Sequence, residues 1–370
     1  MSEDRDSIDA TPEQLHAMQA GDYILRARGD ALEQVAVHKT RLPLDPQGHV
    51  QRLNLVQSPG GTLYAAQHGL VHESTNNGIT WTHLERTPPA GSWRLEFAPD
   101  GSMIHAAVGD AGHPVVWSSP DVGESWSQIG AIDLDTPGAH ADLGFSVTRT
   151  ADGALLLPVV VITSDFGDDG SLLSGTRVCR LYGSDDGGHT WALRGPMGAW
   201  CHEANVVELP GGRLLAAVRY QRPMLPGDPP DLPERNGAPS PAWPYKHVFV
   251  THSDDGGVTW SELRQVAREF GQCYGSVAAL DDGTVVLTLD HRYPRNLSSC
   301  RAVVSRNGGE TWGDDVYYLS HGHAAGYAAN LSPDGEWLLS LTGSCYGDVD
   351  SGWDFCVGRS RFTVIRWRPQ

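Results

Sequence analysis

The sequence predicts an all-β chain built as a six-bladed β-propeller. Three observations carry that prediction: a turn motif that recurs five times, a hairpin motif that recurs six times, and a composition suited to short strands joined by tight turns. Repeats are read first, because a repeated unit decides an architecture before local propensity does. The first motif occupies residues 74–81, 119–126, 184–191, 253–260 and 305–312. Each copy fits Ser-x-Asp-x-Gly-x-Thr-Trp, with Asn76 and Asn307 in place of Asp and Ser125 in place of Thr. Asp or Asn accepts backbone hydrogen bonds inside the turn, Gly supplies positive φ, and Trp packs between neighbouring sheets. These positions are structural, and none of them predicts catalysis.

The second motif counts the blades. Turns at Pro59-Gly60-Gly61, Pro99-Asp100-Gly101, Asp152-Gly153, Pro210-Gly211-Gly212, Asp282-Gly283 and Asp334-Gly335 each lie between two apolar runs. Each reads as a hairpin joining the two inner strands of a blade, with the first motif joining the third and fourth strands. Blade six has no copy of the first motif. With 43 Gly, 24 Pro, 12 Trp and 40% hydrophobic residues, the chain suits many strands and no long helix. Its 370 residues are expected to form one propeller domain over 1–370, with a short helical extension over about 1–22. In that extension Thr11 caps, Pro12 takes the first helical position and Gln14 completes a capping box. The alternation that follows, from Tyr23 to Ala27, reads as a strand. An N-terminal strand is expected to complete the last blade beside Phe362 to Trp367, since closing the ring removes an exposed edge.

Charge and composition exclude several classes. A net charge of −18 opposes non-specific binding to nucleic acid, which needs clustered Lys and Arg. No stretch reaches the ~18 apolar residues of a membrane span, and the first residues lack the pattern of a signal peptide. The expectation is a soluble, cytoplasmic protein with no membrane partner. Its six cysteines include no Cys-x-x-Cys pair, so neither a zinc site nor a cofactor is expected. Cys345 and Cys356 are a candidate loop disulfide in an oxidising compartment. Asp165, Asp168 and Asp169 read as a solvated acidic loop rather than a calcium site, for their spacing is not that of an EF-hand.

Ligand sites of propellers form where inner strands converge on the axis. Counting back eight or nine positions from the turn glycines gives Arg52, Trp93, Phe145, Glu203, Tyr274 and Tyr327. Here the chain resembles the sialidase family, whose propellers carry the first motif as the Asp box. The run from Arg52 to Leu63 is similar to the strand bearing that family's first arginine, although the usual Arg-Ile-Pro has become Arg52-Leu53-Asn54. The run from Glu203 to Gly212, followed by Arg219, resembles the glutamate strand and the second arginine, and the run from Gly326 to Gly335 resembles the strand of the tyrosine nucleophile. The resemblance implies a fold of the sialidase type, an acidic carbohydrate as partner, and an arginine clamp on its carboxylate. It places Arg52 and Arg219 in the clamp, with Arg295 third and Arg292 and Arg301 as rivals. Arg suits the task because its planar fork binds carboxylates bidentately and stays charged. Tyr327 would be the nucleophile and Glu203 the acceptor of its proton, with Tyr274 and His202 at the substrate.

The resemblance fails at one point. Sialidases place an acidic Asp soon after the first inner strand, where residues 65–73 contain none. His68 or Asp110 stands in as proton donor. His202, His291, His321 and His323 each read singly as structural, and together they admit a different acid–base chemistry. Residues 221–245, rich in Pro, form either a lid over the pocket or a solvated loop. Three functions stay open: a retaining exo-glycosidase for sialic acid or a related acidic sugar, a lyase or other glycosidase acting at a uronic acid, and a glycan-binding propeller without turnover. The sequence assigns no oligomeric state.

Overall fold

A computed structural model describes residues 9–44, 53–67, 69–144, 146–163, 165–166, 172–174, 176–235, 244–266, 269, 272–322, 327–345 and 360–370. Among the described residues six antiparallel sheets of four or more strands follow one another in chain order, and a separate two-stranded sheet pairs Asp165–Phe166 with Leu172–Ser174. Blade one comprises Asn54–Gln57, Leu63–Gln67, Leu70–Ser74 and Thr82–Leu84; blade two, Leu95–Phe97, Met103–Val108, Pro114–Ser119 and Ser127–Ala131. In blade three, His140–Leu143 and Thr148–Arg149 both pair with Leu155–Ile162, and Arg177–Ser184 and Ala192–Ala199 follow. Blade four is Cys201–Glu208, Leu214–Arg222, Tyr245–Ser253 and Arg264–Gln265. Blade five begins with Gln272–Ala279, Val285–His291, Ser299–Ser305 and Val316–His321, and blade six with Ala328–Leu331, Leu338–Cys345 and Ser360–Trp367.

Burial follows from position in the ring. Second strands such as Leu155–Ile162 and Val285–His291 are buried along their whole length, because both faces meet a neighbouring blade, whereas the outer Ser127–Ala131 is largely exposed. Six apolar clusters occupy the six blade interfaces. One of them joins Leu341 and Val364 of blade six to Leu55 and Ala65 of blade one, which closes the circle.

The five repeated turns share one bonding scheme. In the second, Asp121 accepts from the Ser125 backbone N–H at 2.8 Å and its hydroxyl at 2.6 Å, while Ser119 Oγ accepts from Gly123 N–H at 2.7 Å. Those donors, the Ser125 hydroxyl first, hold the Asp121 carboxyl down at about 2. Each turn's tryptophan packs at the interface with the preceding blade, as Trp81 does between blades six and one.

An N-terminal strand completes the last blade as expected, but it is not the first one. Tyr23–Arg28 does not join the last blade. It pairs with Val316–His321 on the outer edge of blade five and forms a hairpin with Ala31–Ala36. His38–Arg41 is the strand that completes blade six, against Ser360–Trp367. The cause is the capped helix Pro12–Ala20, whose Leu15 and Met18 are buried with Leu25 against Tyr318, docking the first strand on blade five before the chain reaches blade six. Among the described residues no helix is long and apolar enough to cross a membrane.

Three asparagines tie the inner strands together across blade boundaries. Asn54 accepts from Leu95 N–H and donates to the Trp93 carbonyl, Asn205 accepts from Val277 N–H and donates to Ser146 Oγ, and Asn330 donates to the Ser276 carbonyl and Thr288 Oγ1. They line a cavity of about 270 Å³ on the axis, with Tyr274 among its walls.

Candidate active site

Two β-bulges aim the site. In blade four His202 pairs with Arg219 and Asn205 with Ala217, so Glu203 and Ala204 oppose Val218 alone. Glu203 adopts φ 41°, a left-handed conformation that a non-glycine residue takes at a cost, and one that re-aims its side chain. In blade five Gln272 pairs with His291 and Gly275 with Leu289, so Cys273 and Tyr274 oppose Asp290. Both of their backbone N–H groups donate to Asp290 Oδ1, at 2.8 Å from Cys273. The other oxygen of Asp290 accepts from Arg292 Nε. Gly275 lets this strand lie close against blade four: a Cβ there would come within 2.7 Å of Val248 and 3.2 Å of Ala217.

The bulged strands and blade six meet at Tyr327. Arg292 Nη2 donates to its phenolic oxygen at 3.3 Å, and the phenol lies 3.4 Å from Glu203 Oε1. A guanidinium only donates, so the phenolic proton points at Glu203. Tyr274 stacks on Tyr327 with ring centroids 4.8 Å apart. Burial, reinforced by the Glu203 charge, pushes the Tyr327 hydroxyl up to about 12, while Arg292 and Arg219 pull the other way. Burial also drives Tyr274 well above the ordinary phenol range.

Glu203 Oε2 sits 2.6 Å from Arg219 Nη1, an ion pair in which both side chains are about nine-tenths buried and the N–H is not aimed at the oxygen. Arg219 Nη2 lies 2.7 Å from His202 Nδ1. That nitrogen must accept, so the ring is neutral and carries its proton on Nε2, which faces Asp142 Oδ2 at 3.1 Å. Burial first and the Arg219 charge second lower the His202 pKa, in agreement with a neutral ring.

Two further cations border this cluster. Arg177 senses Arg219, Asp142 and Glu203. Lys246 pairs in register with Gln221, on the face that also presents Arg219 and Val248 toward blade five. Burial, then the charges of Arg219 and Arg292, bring its ammonium down to about 8. Arg177, Arg219, Lys246 and Arg292 against Asp142, Glu203 and Asp290 leave one positive charge in a chain of net charge −18.

The structure thus brings Glu203, Arg219, Tyr327, Tyr274, His202 and Arg292 together. Arg52, His68, Phe145, His323, Asp168, Asp169, Trp243 and Cys356 lie outside the described residues, as do the side chains of Arg295, Asp165 and Cys345. Arg301 belongs elsewhere: it meets Asp9 at 3.2 Å and Glu269 at 3.7 Å, beneath the ring of Tyr318, so its strand turns it toward the N-terminal segment rather than the axis. His291 faces Glu269, and His321 contacts the Ser298 carbonyl. Trp93 is core between blades one and two. Asp110 is exposed in the turn whose Gly112 carbonyl accepts from Ala141 N–H. The cysteines at 179, 201, 273 and 300 are buried free thiols. In the stretch after Gln221, Arg222 binds Asp228 through both of its terminal nitrogens at 2.7 and 3.0 Å and lies 3.6 Å over the Tyr245 ring.

No protein-family model and no curated protein matches the chain. Among solved structures it superposes on a protein of unknown function from Dyadobacter fermentans at 18% identity, over 90% of this chain and 98% of that one, with a TM-score of 0.61. A Hadza microbial sialidase matches at 18% identity over 92% of this chain and 73% of its own, with a TM-score of 0.59. The fold is a sialidase-type propeller. An α-L-arabinofuranosidase of Fusarium graminearum, in complex with an iminosugar inhibitor, shares it at 12% identity over 90% of this chain and 98% of its own, with a TM-score of 0.57. At these identities the likeness shows the propeller alone.

Four charged residues of this propeller's hub escaped the sequence reading: Asp142, Arg177, Lys246 and Asp290. Asp142 lies three positions before the counted one, and the register of blade three changes between Leu143, which opposes Val159, and Thr148, which opposes Leu156. Lys246 lies on a third strand, and counting inner strands passes over it. The only local sign was its place at the end of the Pro-rich stretch, one residue after Tyr245.

Proposed function

We propose that the hub is the active site of a glycosidase acting on a carboxylate-bearing sugar, a sialic acid or a related acidic sugar. One observation carries the reading: the Tyr327 phenol is held between a donor, Arg292, and a proton acceptor, Glu203, inside a cluster with a surplus of positive charge. A phenol raised to about 12 is a weak nucleophile at neutral pH. Transfer of its proton to Glu203 as it attacks the anomeric carbon makes the step accessible, and Arg292 stabilises the developing phenolate. Arg219 and Arg292 hold the substrate carboxylate. Asp142, steadied by His202 Nε2 and by the Leu143 N–H at 2.9 Å, protonates the leaving oxygen in place of the aspartate missing after the first inner strand. Hydrolysis of methylumbelliferyl sialosides by the wild type and by Tyr327→Phe tests the assignment, and full activity in the variant excludes the nucleophile.

A second reading is favoured by a different observation. Asp142 and Glu203 approach opposite nitrogens of one imidazole, at 3.1 and 3.9 Å, which keeps them within roughly 9 Å, a span found for paired glycosidase carboxylates. In that reading the two carboxylates carry the chemistry on a neutral sugar and Tyr327 only supports Glu203. Retention of most activity by Tyr327→Phe on an arabinofuranoside, with none on sialosides, would select it.

A further inference from the structure

Lys246 is partly buried within electrostatic reach of two guanidiniums, and it makes no hydrogen bond and no ion pair among the described residues. Arg219 has Glu203 and Arg292 has Asp290, so each arginine enters the hub already neutralised. Burying a cation without a counter-ion is costly, and an anion that arrives with the ligand removes the cost. The register sets the direction. Gln221 and Lys246 are cross-strand partners, Arg219 and Val248 are the next pair along, and cross-strand partners share a face. Val248 packs among Ala217 and Leu287 at the interface with blade five, so Lys246 projects along that interface toward Cys273 and Arg292.

Resting on the reading of an acidic sugar as substrate, we infer that Lys246 is the residue that selects the anionic substituent: its ammonium is the counter-charge of the sugar carboxylate, which Arg219 and Arg292, each already paired with a carboxylate of the chain, hold by hydrogen bonds. The groups that face it are Arg219 on the second strand of blade four, Glu203 on the first, Cys273 on the first strand of blade five, and Arg292 just beyond the second. The two guanidiniums disfavour its protonation and Glu203 favours it. An arriving carboxylate shifts this balance toward the charged form, so a ligand anion binds with uptake of a proton when the pH lies above about 8.

Calorimetric titration of the full chain with N-acetylneuraminic acid, glucuronic acid and L-arabinose tests the assignment without requiring turnover. Lys246→Met, with Lys246→Gln as a second variant, is expected to weaken binding of an acid about 10- to 100-fold, the worth of one charge-assisted hydrogen bond, and to leave arabinose unchanged. In the wild type, acid affinity is expected to fall about 10-fold from pH 7 to 9.5, and in Lys246→Met it is not. Variants that bind the acids as tightly as the wild type, or an equal loss with pH in wild type and variant, overturn the role of Lys246 and leave the acidic-sugar reading standing. A wild type that binds neither acid better than arabinose overturns that reading itself.

Discussion

Replacing Lys246 with Met is expected to stabilise the ligand-free protein while impairing it. The folded chain holds the ammonium at about 8 against 10.5 for the unperturbed group, and each tenfold change in proton affinity is worth about 1.4 kcal/mol. The sign follows from proton counting: between pH 8 and 10.5 the unfolded chain binds the proton more tightly, so stability rises with pH through that window, and the penalty is present in full below it. The penalty is then about 3 kcal/mol at pH 7 and about 1.4 kcal/mol at pH 9.5. Met keeps the apolar stem against its neighbours and removes the charge, so its gain over the wild type should follow those two figures as upper values. Urea denaturation at both pH values, followed by tryptophan fluorescence, measures the gap. A Met variant less stable than the wild type at pH 7, or a gap equal at both pH values, refutes the claim that this ammonium is buried without compensation.

Four other perturbations follow from the geometry. Tyr327→Phe should keep the fold and lower kcat on sialosides on the order of 10³-fold or more, read against unchanged circular dichroism. Arg219→Met leaves Glu203 buried without its cation and His202 Nδ1 without its donor, and should cost about 3–5 kcal/mol in denaturant unfolding; a loss below about 1 kcal/mol would show that water replaces the pair. Asp142→Asn should slow glycosides with poor leaving groups about 10²- to 10⁴-fold and aryl glycosides far less, since only the former need the proton. Asn330→Ala removes bonds to Ser276, Thr288 and Ser340 between and within blades six and five and should destabilise by about 2–3 kcal/mol, seen as a lower Tm with unaltered kinetics.

The chain itself determined what depends on neighbours in sequence. The repeated turns were legible because Ser119, Asp121, Gly123 and Ser125 bond to one another within one turn, and the first helix because Thr11 and Gln14 cap each other. Glu203, Tyr274 and Tyr327 could be found by counting back from a turn, since strand length fixes how far a residue lies from its hairpin. Only the tertiary structure decided the rest. A register change in blade three brought Asp142 to the hub, a docked helix sent the first strand to blade five, and blade packing turned Arg301 outward and Arg292 inward. Alternation along a strand tells which face a side chain takes, but which side chains come within hydrogen-bonding reach depends on how separate sheets are bulged and pressed together, and that is a property of the assembled ring.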